Sequence, residues 1–235
     1  MMSTEKQDAI EVHELEMEGA KRSLSVGAQA TLQAVYECPD CPEPVRQALS
    51  SWVSWQERVE ITVERAIRSP TQAPQWIAAL LALGAHVTFL EDKFGESKLS
   101  DYLSRVASKR GKLGAIRLPL GVPGRVWGEA HVGRTPADAP IVAAIAVVDL
   151  KNGDVYRARL GMTGVWREAA RLVKAAEGLI GGQLTEERIQ PVIEALEDEI
   201  RPKGDFLGSE MYRRAMAAVL ARRAFDNCVK GDHEQ

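Results

Sequence analysis

The sequence predicts an α+β fold, on three observations. A nearly continuous apolar run at residues 141–150 leads into Lys151-Asn152-Gly153-Asp154 and a second β-prone run at 155–162. Asn-Gly between two such runs is the strongest short-range signal for an antiparallel hairpin. Three stretches of helical periodicity then follow, and strands succeeded by helices read as α+β rather than as alternating α/β. Finally, 235 residues with 45% hydrophobic and 27% charged side chains have ordinary globular composition. A chain of that length buries roughly 70% of its extended surface, enough for a core without staples.

Taken in order, residues 1–14 read as a polar tail. Residues 23–32 mix alternation with Gly27 and Ala28, predicting a short strand that turns into a helix at 29–36. A second helix is expected at 44–54, and 57–68 alternates weakly around Val59, Ile61 and Val63. The Ala/Leu-rich segment 75–83 predicts a buried helix ended by Gly84. A β-rich run covers 86–90, a turn with Gly95 covers 92–96, and a short helix covers 99–106. Residues 109–124 are basic and then carry Pro119, Gly121, Pro123 and Gly124, which marks a candidate boundary between domains at 15–118 and 125–230.

Beyond the hairpin, the first helix is expected at 166–180, with Ala169, Leu172, Val173, Ala176 and Leu179 at 3.6-residue spacing. The second starts at Thr185 as N-cap, with Glu186 and Glu187 placed well against its dipole. Its stripe is Ile189, Val192, Ile193, Leu196 and Ile200. The third is capped by Ser209 and carries Tyr212, Ala215, Met216, Val219 and Leu220 on one side. Arg213, Arg214, Arg222 and Arg223 then make a basic helix face, read as solvated or as a docking face for an acidic partner, and Glu194, Glu197, Asp198 and Glu199 a solvated acidic one. Trp52, Trp55, Trp76, Trp127 and Trp166 are expected to be core or interface anchors.

A net charge of −3 points to neither nucleic acid nor an anionic membrane as partner. No apolar run approaches the ~18 residues of a membrane span, and the N-terminus lacks an apolar signal stretch, so a cytoplasmic protein is expected. Three cysteines fit a reducing compartment. Cys38-Pro39-Asp40-Cys41 reads as two loop thiols before a helix, or as a redox dithiol. A metal site would need further ligands from Cys228, His13, His86, His131 or His233, and none stands at ligand spacing. Gly161-Met162-Thr163-Gly164 lacks phosphate-loop spacing, so no catalytic constellation emerges.

Three ordered motifs go further: Arg157-Ala158-Arg159-Leu160-Gly161-Met162, Ala176-Glu177-Gly178-Leu179-Ile180-Gly181-Gly182, and Asp205-Phe206-Leu207-Gly208-Ser209-Glu210-Met211-Tyr212-Arg213. With the closing Leu220-Ala221-Arg222-Arg223-Ala224, and more loosely Arg134 and Asp138, they resemble the FAD-binding medium subunit of molybdenum hydroxylases, the carbon monoxide dehydrogenase and xanthine dehydrogenase group. Upstream, Leu24-Ser25-Val26-Gly27-Ala28 with Thr31-Leu32, and Leu80-Leu81-Ala82-Leu83-Gly84-Ala85, resemble the FAD-binding domain of the same family. The resemblance implies a remnant of the second FAD-binding subdomain, followed by a C-terminal domain of antiparallel sheet plus three-helix bundle. The family's N-terminal subdomain, with its glycine-rich pyrophosphate loop, has no counterpart in this sequence.

The resemblance also assigns the flavin positions. Where the family carries Arg-Asn-x-Ala-Thr-Ile-Gly-Gly-Asn, this chain reads Arg58 to Ala66 and keeps Arg58, Thr62 and a conservative Val63. Glu64 and Arg65 replace the paired glycines, and Gln75 replaces an aspartate before the apolar helix. Paired glycines let backbone amides approach a ligand that a side chain would block. A carboxylate ~5 Å from a phosphate at an effective dielectric near 20 costs about 3 kcal/mol, or over two decades in affinity. Arg65 offsets this if it contacts a phosphate. The sequence therefore predicts a family member that has lost FAD, holds no metal, and serves as a structural or assembly component. Its partners would be a molybdenum-bearing large subunit and an iron–sulfur small subunit. Two alternatives stand beside it: an electron-transfer subunit completed by another chain, and a homo-oligomeric binding protein that keeps the fold.

Overall fold

The computed structural model describes residues 8–91, 95–106, 110–135 and 138–230. The chain divides into two compact units, Met1–Val122 and Pro123–Gln235.

In the first unit, β1 (Ile10–His13), β2 (Arg22–Gly27), β3 (His86–Phe89), β4 (Glu96–Lys98) and β5 (Leu113–Leu120) form an antiparallel sheet in the order β1-β2-β5-β3-β4. Alternation decides its two faces. Leu24, Val26, Val87, Phe89, Ile116 and Leu118 are buried on one. The register puts Glu11, Ser25, Arg117, His86 and Lys98 side by side on the other. Helices α1 (Leu32–Glu37), α2 (Glu43–Trp52), α3 (Trp55–Glu60), α4 (Val63–Arg68), α5 (Pro74–Leu83) and α6 (Leu99–Ser104) complete the unit. Helix α5 is buried from Gln75 to Leu83 and stops at Gly84, whose φ of 78° is the left-handed cap expected of a glycine.

Three expectations for this unit change. Ile10–His13, placed in a polar tail, is the edge strand β1, because pairing with β2 satisfies its backbone where alternation is too weak to show. The weakly alternating 57–68 is two short helices. Ser54 and Glu57 close a capping box at the start of α3, and Thr62 caps α4. Those caps outweigh the alternation. Within 109–124, the supposed linker holds β5, the central strand, with Leu113, Ile116 and Leu118 facing the core. The break between units, at Val122 and Pro123, lies between the two expected domains.

The second unit is an antiparallel sheet β6 (Arg125–Val132), β7 (Val142–Lys151), β8 (Asp154–Thr163) and β9 (Ala170–Leu172), in that order. The hairpin turn is as expected: Asn152 and Gly153 both take positive φ, 55° and 86°. Helices α7 (Glu186–Glu199) and α8 (Glu210–Lys230) complete it. Ala144, Ala146, Val148, Leu160 and Met162 pack with Ile189, Leu196, Leu220, Ala224 and Phe225 in one core. Helix α8 lies so close on β6 that a Cβ at Gly128 would sit 2.2 Å from the Ala224 carbonyl.

The helix expected at 166–180 is replaced by β9 and a 3₁₀ segment, Lys174–Leu179. The edge of β8 accepts β9, and Glu199 takes the Lys174 amide at 2.9 Å, which captures the backbone before an α-helix can close. Two α-helices and a 3₁₀ segment thus stand where three helices were expected. At the start of α7, Thr185 makes no side-chain cap to the backbone. The Glu187 carboxyl accepts from its own amide and from the Thr185 hydroxyl instead, and both contacts lower its pKa. On α8 the buried face is Arg213, Ala217, Leu220, Ala221, Ala224, Phe225 and Cys228, while Tyr212 and Val219 are exposed. The helix is rotated from its sequence stripe because Arg213 turns inward.

Candidate functional site

The loop after β2 and the loop before α4 are zipped together by backbone hydrogen bonds. The Leu32 amide donates to Ile61 at 2.9 Å, Val63 to Ala30 at 2.9 Å and Glu64 to Ala28 at 2.8 Å. Thr31 and Thr62 face each other across this seam, and each caps the helix that follows it. The Thr62 hydroxyl accepts from the Arg65 amide at 3.3 Å. The seam brings Thr62, Glu64 and Arg65 together; Arg58 lies on the preceding α3, and Gln75 is buried on α5.

Each of these side chains has a definite setting. Glu64 accepts from Gln29 Nε2 at 2.8 Å and from Arg68 Nε at 3.0 Å, with only 17% of its side chain exposed. Arg58 donates to the carbonyls of Val53 at 2.6 Å and Leu49 at 2.9 Å and to Gln33 Oε1 at 2.9 Å. Its guanidinium lies 4.7 Å from the Tyr36 ring centroid. Arg65 is exposed. The amides of Val63, Glu64 and Arg65 are therefore all donating within the chain.

Cys38 and Cys41 are joined by a turn, with the Cys41 amide donating to Cys38 at 3.1 Å, and both thiols are free. Arg46 donates to the Tyr36 and Cys38 carbonyls and pins the turn. Burial pushes the Cys41 thiol up to about 12, so it is an inert thiol at neutral pH. Among the described residues, no three or more His, Cys, Asp or Glu side chains converge on a metal position. No helix among them is long and apolar enough to cross a membrane.

Sequence reasoning missed two polar networks. Asp149, buried in the apolar strand β7, accepts from Arg125 at 2.6 and 3.0 Å and from Arg157 at 3.2 Å. A lone aspartate inside an apolar run was its available signal. Arg213, expected on a solvated basic face, is 5% exposed and donates to the carbonyls of Ile141 at 2.7 Å and Gly164 at 3.1 Å and to both oxygens of Asp205. Asp205 in turn accepts from the Leu207 and Gly208 amides, so the Asp-Phe-Leu-Gly-Ser motif folds back on its own arginine. That arginine holds its carboxyl below the usual carboxylate range.

Residues 130–228, spanning β7, β8, α7 and this anchored loop, match the family model described as the CO dehydrogenase flavoprotein C-terminal domain. That match covers most of the second unit. Across 98% of its length, the chain is 24% identical to the uncharacterised protein YgfM of Escherichia coli, covering 84% of it. It is 28% identical over 114 residues to the carbon monoxide dehydrogenase medium chain of Afipia carboxidovorans, covering 48% of this chain and 40% of that one. The fold is shared with carbon monoxide dehydrogenase of Hydrogenophaga pseudoflava, at a TM-score of 0.79 and 20% identity over 96% of this chain and 79% of that one. The chain is thus a homologue of the FAD-binding medium subunit of molybdenum hydroxylases.

Proposed function

We propose that this medium-subunit homologue does not hold FAD in the family's usual mode and acts as a structural or assembly component. The observation that carries the reading is the commitment of three consecutive amides, Val63, Glu64 and Arg65, to Ala30, Ala28 and Thr62. A nucleotide bound there would have to break those bonds. A ligand that took up these amides would leave the carbonyls of buried Ala28 and Ala30 without a donor, and each buried polar group so orphaned costs ~1–3 kcal/mol. Glu64 adds a carboxylate held in place by Gln29 and Arg68, and Arg58 is spent on carbonyls rather than presented to a ligand. The resemblance supplies the partners: a molybdenum-bearing large subunit and an iron–sulfur small subunit, on which the second unit would dock.

The test is the visible absorption spectrum of the purified protein, repeated after incubation with FAD and desalting. A colourless protein that stays colourless is expected. A retained flavin band overturns the reading, and Arg65→Ala then tests whether that exposed side chain is the phosphate contact.

A further inference from the structure

The polar face of the first unit's sheet carries one assembly that the seam does not use. His86 on β3 has a carboxylate on each ring nitrogen: Glu96 Oε1 lies 2.8 Å from Nδ1 and Glu18 Oε1 lies 3.2 Å from Nε2. The two come from different places. Glu96 is on β4, paired with β3, whereas Glu18 sits in the loop between β1 and β2, 68 residues away in sequence. Glu96 uses its other oxygen on Arg117 Nη1 at 3.1 Å. The charged groups facing His86 are Glu18 from the loop, Glu96 and Lys98 from β4, and Arg117 from β5, the last two being its cross-strand neighbours.

We propose that Glu18, His86 and Glu96 form a proton-operated clasp that fastens the β1–β2 loop to the β3–β4 hairpin. A neutral imidazole has one N–H and satisfies one carboxylate as a donor; only the imidazolium donates to both. The proton therefore decides whether both arms of the clasp are held at once. The loop has reason to open when it is not. Glu18 occupies φ +50°, the left-handed region that a non-glycine residue keeps only when its surroundings hold it there. The loop is also closed by the mutual pair of Met17 and Ala20 amide–carbonyl bonds, at 3.0 and 2.8 Å. Glu18 is 10% exposed at its side chain, so the closed arrangement takes its carboxylate largely out of solvent.

The direction of the response follows. The Glu18 hydrogen bond, the largest influence, raises the His86 pKa, and Glu96 adds to it against the opposing effect of burial. A group whose folded value is raised lends stability that is complete below its ordinary value and is lost as pH rises through the folded value. The clasp is closed on the acid side and released on the alkaline side.

The experiment follows His86 by proton NMR across pH, together with hydrogen exchange at the Met17 and Ala20 amides corrected for intrinsic exchange. The expected result is a His86 midpoint above the ordinary value of about 6.5, with amide protection falling about tenfold as pH rises through it. Glu18→Gln lowers the midpoint and abolishes the step in protection, and His86→Gln shows no step. Protection independent of pH, a midpoint at or below the ordinary value, or a step that survives in Glu18→Gln overturns the proposal. Should His86→Gln fail to fold, Glu18→Gln alone decides, since that side chain sits in a loop.

Discussion

Replacing Arg213 by methionine separates a surface arginine from a structural one. Methionine retains most of the apolar stem and removes the guanidinium. That head group donates to the Ile141 carbonyl at 2.7 Å, the Gly164 carbonyl at 3.1 Å and both oxygens of Asp205 at 2.9 and 2.8 Å. Hydrogen bonds from a charged donor to two enclosed carbonyls contribute about 1.5 kcal/mol each, or about 3 together. Asp205 has 45% of its side chain in solvent. Its share is therefore screened and held under ~1 kcal/mol. Arg213→Met is expected to destabilise the second unit by about 3 kcal/mol, lowering its melting midpoint by about 10 °C. Arg214→Met is the comparison: Arg214 is half-buried and donates to one carbonyl, that of Glu197, at 2.8 Å, so its loss should cost under about 1 kcal/mol. Calorimetry at neutral pH measures both. Because Arg213 depresses the Asp205 pKa, the pair's contribution is present above the usual aspartate value and fades as pH falls through the depressed one. The gap between wild type and variant should narrow in acid. A variant within 1 kcal/mol of wild type, or one matched by Arg214→Met, refutes the inward anchor and restores the solvated basic face.

Three further outcomes test the start of α8 and the thiols. Ser209→Ala should cost about 1 kcal/mol through loss of the α8 cap, because Ser209 Oγ accepts from the Tyr212 amide at 3.1 Å; an unchanged melting midpoint contradicts that helix start. Gly208→Val should destabilise as well, since even a Cβ there lies 3.0 Å from the Tyr212 ring. In native protein, a thiol reagent should label half-buried Cys38 first and leave Cys41 and Cys228 unmodified, because burial raises both of their pKa values. Equal labelling of all three without denaturant would show that Cys41 and Cys228 are not enclosed.

The α+β class, the Asn152-Gly153 hairpin, the buried helix ending at Gly84 and the Ser209 start of α8 were all legible in the residues, for a common reason. Each is decided within a few positions, by φ at a turn, by a cap, or by a run of apolar side chains. The family motifs were legible too, and the match over residues 130–228 falls on them. What the sequence could not show was decided by partners distant in the chain. Ile10–His13 becomes a strand because β2 offers it a ladder. Residues 170–179 leave the helical pattern because β8 and Glu199 capture their backbone. At the candidate site, the resemblance gives Glu64 and Arg65 as the expected replacements for the family's paired glycines. Only the tertiary structure decided that the amides behind them are already committed to Ala28, Ala30 and Thr62, with Gln29 and Arg68 holding Glu64 in place. Hydrogen bonds and burial couple residues by distance in space, whereas periodicity records only distance along the chain, and Arg213, expected on a solvated basic face yet buried against Ile141 and Gly164, shows the difference.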